Sequence, residues 1–431
     1  MWSAYLDTNP VRVAGTRTLS RLSRHAYYGR LAPLRTGPIR RATPPGKRWV
    51  RVRNAVAGIS GADLAHVHLQ RDSSIAQMAL PRQPRIFLGR EVCGQVVEVG
   101  PEVEFLRVGD RVAYQLDQCC ATCDIEPPCA NCAAGNYTLC ENRYLPGPQP
   151  VGGGWSDEML LHERQLFLVP DELSDEQGAL LEPAAAGIHA VLRYQPQPGD
   201  NVLVIGAGTT GLLTVQALAA LAPHAGVSVL ARHPFQAEMA ERLGATHVLR
   251  REDGPAEAAR ITGGRYYHGR HDAELLVGGY AVIYDTVGTA ETLQRALRWT
   301  RAGGAVIQAG MHLAPMRVDL TPVWHREIRL FGAAGHGAES WPGGTDLADW
   351  SGQSGGRIAT FALAAALIRQ GRLTPQLLVT HRFPLRELRF AIQTARDKAA
   401  HATIKVLLDI GSVAQGTPTG APAPARRATL A

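Results

Sequence analysis

The sequence contains no hydrophobic run that could cross a membrane, because no apolar stretch reaches the roughly 18 residues of a spanning helix. Met1-Trp2-Ser3-Ala4 does not begin a secretory signal, in which a charged segment precedes an apolar one. The chain also lacks internal repeats and the aromatic-interleaved basic motifs of nucleic-acid-binding modules. We therefore expect a soluble cytoplasmic protein with neither a membrane nor a nucleic acid partner.

Acidic side chains are almost absent from the first 53 residues, where eleven arginines and one lysine accompany a single acid, Asp7. The whole chain carries a formal net charge of +7, so its remainder is weakly acidic. Residues 1–47 are rich in Arg, Pro and Gly and show little periodicity. We interpret them as a basic extension that is solvated and lies over an acidic body, although such a segment can also contact an acidic partner.

Cysteine is scarce outside one segment. Six of the seven cysteines lie between Cys119 and Cys140. In a reducing compartment this density suits a metal site better than a disulfide framework, since thiols stay reduced there. The alternative is a set of free buried thiols.

The stretch from Asn201 to Gly211 has the pattern of a nucleotide-binding turn. Residues 202–205 are apolar and predict a buried parallel strand. Gly206-x-Gly208-x-x-Gly211 follows immediately, and the Leu- and Ala-rich residues 212–221 predict a helix. The first glycine permits a tight turn, the second lets the backbone approach a pyrophosphate, and the third lets helix and strand pack closely. The amides and dipole of the helix N-terminus then favour phosphate.

Strand and helix patterns alternate from Gly199 to about residue 335, with further strands expected at 227–231, 280–285 and 305–309. This alternation predicts a doubly wound parallel sheet. Short strands with glycine turns precede it from Arg48 onward and predict a compact β-rich domain. A chain of 431 residues is expected to hold two domains. Residues 411–431 are rich in Pro, Ala and Thr and are expected to be disordered.

The order of these motifs resembles the medium-chain dehydrogenase/reductase superfamily, and most closely its zinc-type alcohol, polyol and threonine dehydrogenase branch. The match covers about residues 48–409. The stretches that carry it are Gly89-x-Glu91-x-x-Gly94, Gly109-Asp110-Arg111-Val112, Cys129-Ala130-Asn131-Cys132-Ala133-Ala134-Gly135, Cys140-Glu141-Asn142, Leu181-Glu182-Pro183, the glycine motif and Ile404-Lys405-Val406. The resemblance implies an α/β protein. Its GroES-like catalytic domain would span 48–195 and 336–410, and a Rossmann domain at 196–335 would be inserted between them.

The residues that normally bind the catalytic zinc of this branch are missing. Where the family has Cys in a Gly-Ile-Cys-Gly-x-Asp loop, this chain has Ser60, and where it has His in Gly-His-Glu, this chain has Arg90. A hydroxyl is a poor zinc ligand, and a guanidinium repels the metal. Only Glu91 and Glu182 remain as ligand types, and two carboxylates do not make a three-ligand catalytic site.

Arg90 suggests a substitute for the metal. It precedes Glu91, and the implied fold brings Glu182 close, so one charge-assisted network could fill the vacated position. In the functional interpretation Arg90 polarises a substrate oxygen and stabilises developing negative charge, while Ser60 donates a hydrogen bond. In the structural interpretation the ion pairs only fill the space. The candidate catalytic residues are Arg90, Ser60, Glu91 and Glu182.

The cysteine-rich lobe at 119–140 is similar to the structural zinc site of the family. Cys129, Cys132 and Cys140 match three of its ligands, but the fourth position is Glu126. Either Cys120 or Cys123 can supply the fourth thiolate through a longer loop. Four thiolates make a closed, non-catalytic zinc site.

The choice of cofactor follows from the end of the second strand of the nucleotide-binding unit. An acidic residue there normally holds the ribose 2′-hydroxyl, but this chain has Ala231 followed by Arg232 and His233. Without the carboxylate nothing repels a 2′-phosphate, and Arg232 can bind it, which indicates NADP(H). Alternatively, Arg232 is an ordinary surface charge. The predicted cofactor-binding residues are Gly206, Ala207, Gly208, Thr209, Thr210, Gly211, Ala231, Arg232 and His233.

We therefore predict an NADP(H)-dependent oxidoreductase with one structural zinc and no catalytic zinc. It would transfer hydride to or from a small organic substrate, either an activated alkene conjugated to a carbonyl or a ketone and its alcohol. The alternatives are a conventional zinc-dependent alcohol dehydrogenase with atypical ligands and a non-catalytic NADP-binding protein. We expect a homodimer or homotetramer.

Overall fold

The computed structural model describes residues 1–71, 84–145, 149–250, 253–270, 274–340 and 357–411, and most of the predicted tail lies outside them. The chain forms two compact units. Unit 1 comprises Met1–Glu182, Gly337–Arg369 and Val379–Ala431, and unit 2 comprises Pro183–His336 and Gln370–Leu378. No helix of the described residues is long and apolar enough to cross a membrane.

The described strands, in chain order, are β1 (Trp2–Asp7), β2 (Leu34–Pro38), β3 (Trp49–Gly58), β4 (Arg85–Phe87), β5 (Val92–Val99), β6 (Arg111–Tyr114), β7 (Glu158–His162), β8 (Leu166–Leu168), β9 (Asn201–Ile205), β10 (Gly226–Ala231), β11 (His247–Arg250), β12 (Arg265–His268), β13 (Glu274–Val277), β14 (Tyr280–Asp285), β15 (Thr300–Gln308), β16 (Arg329–Gly332), β17 (Ala338–Ser340), β18 (Arg357–Ala359), β19 (Val379–Pro384) and β20 (Lys405–Asp409). The described α-helices are α1 (Pro10–Ser20), α2 (Gly61–Val67), α3 (Ala130–Ala133), α4 (Asp175–Ala179), α5 (Leu181–Arg193), α6 (Thr209–Leu221), α7 (Pro234–Arg242), α8 (Pro255–Thr262), α9 (Ala290–Trp299), α10 (Thr321–His325), α11 (Thr360–Arg369), α12 (Leu388–Arg396) and α13 (Lys398–His401).

Unit 1 is built on a seven-stranded sheet with the order β19-β20-β3-β5-β6-β8, in which β7 also pairs with β3. β3 is buried along nearly its whole length because it pairs with β5, β7 and β20. Its inward residues Val50 and Val52 pack in one core cluster with Trp155 and Met159. β20 lies beside β3, so segments that precede and follow unit 2 build the same sheet, as the resemblance implies.

Residues 1–47 fold as part of unit 1, which differs from the solvated arm that we expected. β1 pairs with both β2 and β4. Ala4 and Leu6 belong to the core cluster of the unit, and the backbone N–H of Trp2 donates to Asp157 at 2.6 Å. These short strands are held by pairing with distant segments, so they leave little local periodicity in the sequence.

Unit 2 contains the predicted doubly wound sheet, with six parallel strands in the order β11-β10-β9-β14-β15-β16. The strand order reverses beside β9, which is the point where such sheets bind ligands at the carboxyl ends of their strands. The hairpin of β12 and β13 was not predicted. The predicted α/β architecture, a β-rich unit and a unit with a doubly wound parallel sheet, is present.

Candidate active site

The first strand of the parallel sheet, β9, ends in the predicted glycine turn. Gly206 has a φ of +98°, and a Cβ there would lie 2.6 Å from Cγ2 of Val287. Gly208 is the N-cap of α6, which begins at Thr209, and a Cβ at Gly211 would collide with the carbonyl oxygen of Gly206. The other two motif residues are Ala207 and Thr210. The side-chain-free backbone at a helix N-terminus fits a bound dinucleotide pyrophosphate.

The carboxyl end of β10 carries no acidic residue. Ala231 is buried and ends the strand, Arg232 is exposed, and His233 is the N-cap of α7 with its ring stacked on Phe235 at 5.5 Å. In the neighbouring strand β11 the exposed Arg250 is in register with Ala231. Arg232, directly after β10, and Arg250, the last residue of β11, therefore lie at the carboxyl ends of two adjacent strands. The sequence analysis missed both β11 and Arg250, because the position of Arg250 beside Ala231 depends on strand pairing.

Four of the predicted metal ligands come together in unit 1. The sulfur atoms of Cys120, Cys129, Cys132 and Cys140 all lie within 4.8 Å of one another. Cys123, the other candidate for the fourth ligand, is not in this group. Zinc bound tetrahedrally at about 2.3 Å separates its thiolates by roughly 3.8 Å, and the sulfurs of Cys120 and Cys140 are 3.7 Å apart. The four thiols therefore fit a structural zinc ion.

Hydrogen-bond donors surround these sulfurs. The side-chain amide of Asn142 donates to Cys120 at 3.2 Å, and its backbone N–H donates to Cys140 at 3.3 Å. The backbone N–H of Cys129 donates to the sulfur of Cys120 at 3.4 Å. Donors of this kind stabilise the thiolate, which is the form that binds a metal.

Ser60 is the N-cap of α2. Its Oγ donates to Asp63 Oδ2 at 2.6 Å and accepts the backbone N–H of Asp63 at 3.1 Å, which completes a capping box. The other oxygen of Asp63 accepts the backbone N–H of Gly89 at 3.1 Å. We expected Ser60 to offer its proton to a substrate, but the buried Asp63 carboxylate already takes it. The role of Ser60 in this structure is to fix the loop that precedes Arg90.

Arg90 is held by a carboxylate that the sequence analysis did not identify. Its Nη1 donates to Asp117 Oδ2 at 2.5 Å, and its Nη2 lies 3.9 Å from Glu182 Oε1. Asp117 also accepts hydrogen bonds from Arg143 Nη2 at 3.2 Å and from the hydroxyl of Tyr114 at 3.0 Å. The Arg90 side chain is 48% exposed although Asp117 anchors its guanidinium.

The Arg90–Asp117 pair is ionised at neutral pH. Burial opposes ionisation of Asp117, but the charges of Arg90 and Arg143 outweigh it and lower its pKa to about 2. The charge of Asp117 in turn raises the pKa of Arg90. No sequence motif marked Asp117, which lies in the loop after β6.

Glu91 does not join this network by a hydrogen bond. Both of its carboxylate oxygens accept from Lys405 Nζ, at 2.7 and 2.6 Å, and Lys405 also donates to the carbonyl of Ile59 at 3.2 Å. Glu91 and Lys405 are both buried. The single network that we expected is therefore two separate ion pairs, because the pairing of β20 with β3 brings Lys405 to the side chain of Glu91.

Among the described residues, Glu182 is the member of the expected network that makes an ion contact with Arg90. It occupies the first turn of α5, and its side chain is 21% exposed. Burial raises its pKa to about 7, while the charge of Arg90 acts in the opposite direction. The structure thus brings Arg90 and Glu182 together, and it places Ser60 and Glu91 in separate contacts.

Both units match known protein families. Residues 46–171 match the alcohol dehydrogenase GroES-like domain, and residues 209–350 match the zinc-binding dehydrogenase family. The chain is 32% identical to L-idonate 5-dehydrogenase of Vitis vinifera over 78% of this chain and 80% of that protein. It is 30% identical to sorbitol dehydrogenase of Bacillus subtilis over 69% of this chain and 78% of that protein.

Solved structures show the same fold. A structure assigned to a zinc-binding dehydrogenase of Sinorhizobium meliloti 1021, bound to NADP, is 27% identical with a TM-score of 0.65 and covers 87% of this chain and 95% of that one. The shared motifs, the two-unit architecture and these relatives together show that the chain is an alcohol-dehydrogenase-like oxidoreductase that belongs to the zinc-type medium-chain dehydrogenase/reductase superfamily.

Proposed function

We propose that the protein interconverts a small polyhydroxylated ketone and its alcohol with NADP(H), and that Arg90 takes the place of a catalytic zinc. The observation that carries this proposal is the half-exposed Arg90 side chain, whose guanidinium is anchored by Asp117. In relatives of this branch the corresponding residue is a metal-binding histidine, whereas an arginine is always charged and cannot bind zinc.

Arg90 has the properties needed to activate a carbonyl. Hydride addition leaves negative charge on the carbonyl oxygen, and preorganised positive charge at that oxygen stabilises the transition state. Asp117 accepts from Nη1 only, so Nη2 can donate to a substrate oxygen. Because Arg143 and Tyr114 hold Asp117 in turn, the guanidinium is oriented before substrate binds. The nicotinamide supplies the hydride.

Unit 2 supports the choice of NADP(H). The glycine turn fits the pyrophosphate, and Ala231 removes the carboxylate that would repel a 2′-phosphate. Arg232 and Arg250 lie at the edge where that phosphate would be held. The NADP-bound relative of Sinorhizobium meliloti is consistent with this assignment.

The substrate class rests on the relatives. L-idonate 5-dehydrogenase and sorbitol dehydrogenase are named for polyhydroxylated substrates, and another relative is a probable D-xylulose reductase. We extend that class to this chain, and the hydroxyl groups of such a substrate would also suit the polar surroundings of Arg90.

The test is the replacement of Arg90 by Ala in an assay of NADPH-dependent reduction of ketoses such as xylulose and fructose. We expect turnover to fall by roughly 10²–10³, the scale of losing a charge-stabilising donor, with NADPH affinity unchanged. Arg90→Lys should restore part of the activity, because a point charge lacks the fork geometry. Arg21→Ala, at an exposed arginine in the N-terminal segment, is the matched control. Unchanged turnover in folded Arg90→Ala would show that Arg90 only fills space.

A further inference from the structure

Three carboxylates lie near Arg90, and they differ in how fully they are hydrogen-bonded. Asp117 accepts from Arg90, Arg143 and Tyr114. Glu91 accepts twice from Lys405. The cationic donors hold Asp117 as a carboxylate with a pKa lowered to about 2, although burial opposes this. Burial raises the pKa of Glu91 and Lys405 opposes the effect, but both Glu91 oxygens are occupied by Lys405. Neither group can therefore exchange a proton with a substrate without losing a strong ion pair.

Glu182 is different. Within the part of the chain that the structure describes, its carboxylate accepts no hydrogen bond and has only the 3.9 Å contact with Arg90 Nη2. A gap of that length leaves room for rotation of the carboxylate, and a 21% exposed side chain can exchange a proton with solvent. Glu182 thus lies beside the guanidinium, and among the described residues no donor forms a hydrogen bond with its carboxylate oxygens.

The buried environment of Glu182 keeps its proton affinity high. Burial has the largest effect and raises its pKa to about 7. Arg90 and Lys405 lower the pKa, whereas Glu91 and Asp117 raise it. A group of this kind is present in both protonation states near neutral pH, which suits general acid–base catalysis.

We propose that Glu182 is the general acid that protonates the carbonyl oxygen bound by Arg90, and the general base for the reverse oxidation. This assignment rests on the proposed function. It gives Glu182 a proton-transfer role in place of the metal-ligand role that its motif position implies.

The step balances without a further reactant. The carbonyl carbon gains a hydride from the reduced nicotinamide, and the π electrons of the C=O bond move to oxygen. The carboxylic acid of Glu182 gives its proton to that oxygen, so the product is an alcohol, and Glu182 becomes a carboxylate. Solvent then returns a proton to Glu182. In the oxidation the carboxylate takes the hydroxyl proton as hydride leaves the carbon.

The decisive variant is Glu182→Gln, which keeps the shape of the side chain but cannot exchange a proton. We expect ketose reduction to fall by roughly 10²–10³, within the usual range for a lost acid–base group. The inflection of kcat near pH 7 should disappear, while the dissociation constant of NADPH stays unchanged. Glu182→Asp should recover part of the rate and restore an inflection. Asp117→Asn and Glu91→Gln serve as controls, because each removes a negative charge that raises the pKa of Glu182, so the inflection should move to lower pH but should not disappear.

A second measurement does not depend on turnover. Infrared difference spectra of the protein between pH 5 and 9 should show a carboxylic acid band that titrates near pH 7 and is absent in Glu182→Gln. If no such band exists, or if Glu182→Gln keeps both the rate and the inflection, the acid assignment is wrong while the proposed function stands. If the unmodified protein reduces no ketose with NADPH, the proposed function is wrong, and the infrared band alone then decides whether Glu182 binds the proton.

Discussion

The protonation of Glu182 also has a consequence for stability that can be measured without substrate. Folding raises its pKa from 4.5 to about 7, chiefly because burial disfavours the charged form, with Arg90 opposing the effect. Between those values the native state binds more protons than the unfolded state. The contribution of Glu182 to stability is therefore fully present below about pH 4.5 and is lost as the pH rises to about 7.

The magnitude follows from the shift. One pKa unit corresponds to about 1.4 kcal/mol, so a shift of this size gives about 3 kcal/mol as an upper limit. The side chain is 21% exposed, and partial solvation reduces the effect. Glutamine is neutral at every pH. We expect the free energy of unfolding of Glu182→Gln, relative to the unmodified protein, to rise by about 1–3 kcal/mol between pH 4.5 and pH 8.

The assay is equilibrium urea unfolding of both proteins at several pH values across this window. Glu172→Gln is a matched control, because that side chain is 58% exposed and its one ion contact among the described residues is with Arg369, at 3.9 Å. The difference in unfolding free energy between Glu172→Gln and the unmodified protein should not change with pH. The argument for a neutral buried acid is refuted if the unfolding free energy of Glu182→Gln, relative to the unmodified protein, stays constant or falls between pH 4.5 and pH 8.

Three further predictions concern the other candidate residues. Cys132→Ser should abolish the binding of about one zinc per chain, measured by elemental analysis, and lower the melting temperature, whereas Cys123→Ser should retain the metal; equal zinc in both would contradict the ligand set. Arg232→Ala should weaken NADPH binding by about 1.5–3 kcal/mol in fluorescence titrations and leave NADH binding unchanged, and Arg250→Ala should act in the same direction; equal NADPH and NADH affinities in the unmodified protein would overturn this. Ser60→Ala should lower the free energy of unfolding by about 1 kcal/mol, because the helix loses its cap. A large loss of turnover in the folded variant would instead show that Ser60 contacts the substrate.

The sequence alone predicted those parts of the structure that depend on residues close together in the chain. The strand, glycine turn and helix of the nucleotide site span 201–221, and the structure has β9, the turn and α6 there. A turn with positive φ, a helix N-terminus and close helix–strand packing each constrain residues only a few positions apart. The cysteine pattern is similarly local, but the choice between Cys120 and Cys123 depended on how one loop folds.

The contacts around Arg90 could not be predicted because they join distant segments. Lys405 is 314 positions from Glu91, and the two meet because β20 pairs beside β3. Asp117 lies in a loop that no motif identifies. The N-terminal strands were missed for the same reason, since β1 is specified by its partners β2 and β4 more than by its own pattern.

The separation into two ion pairs matters for the chemistry. In a single network shared by Arg90, Glu91 and Glu182, the guanidinium would have held both carboxylates ionised. Lys405 instead neutralises Glu91, and Asp117 takes the closest contact with Arg90. Among the carboxylates that the structure describes near Arg90, Glu182 is thus the one left without a hydrogen-bonded cation. A fixed cation beside an acid that can change its charge is suited to carbonyl reduction, because the cation stabilises the oxyanion and the acid protonates it.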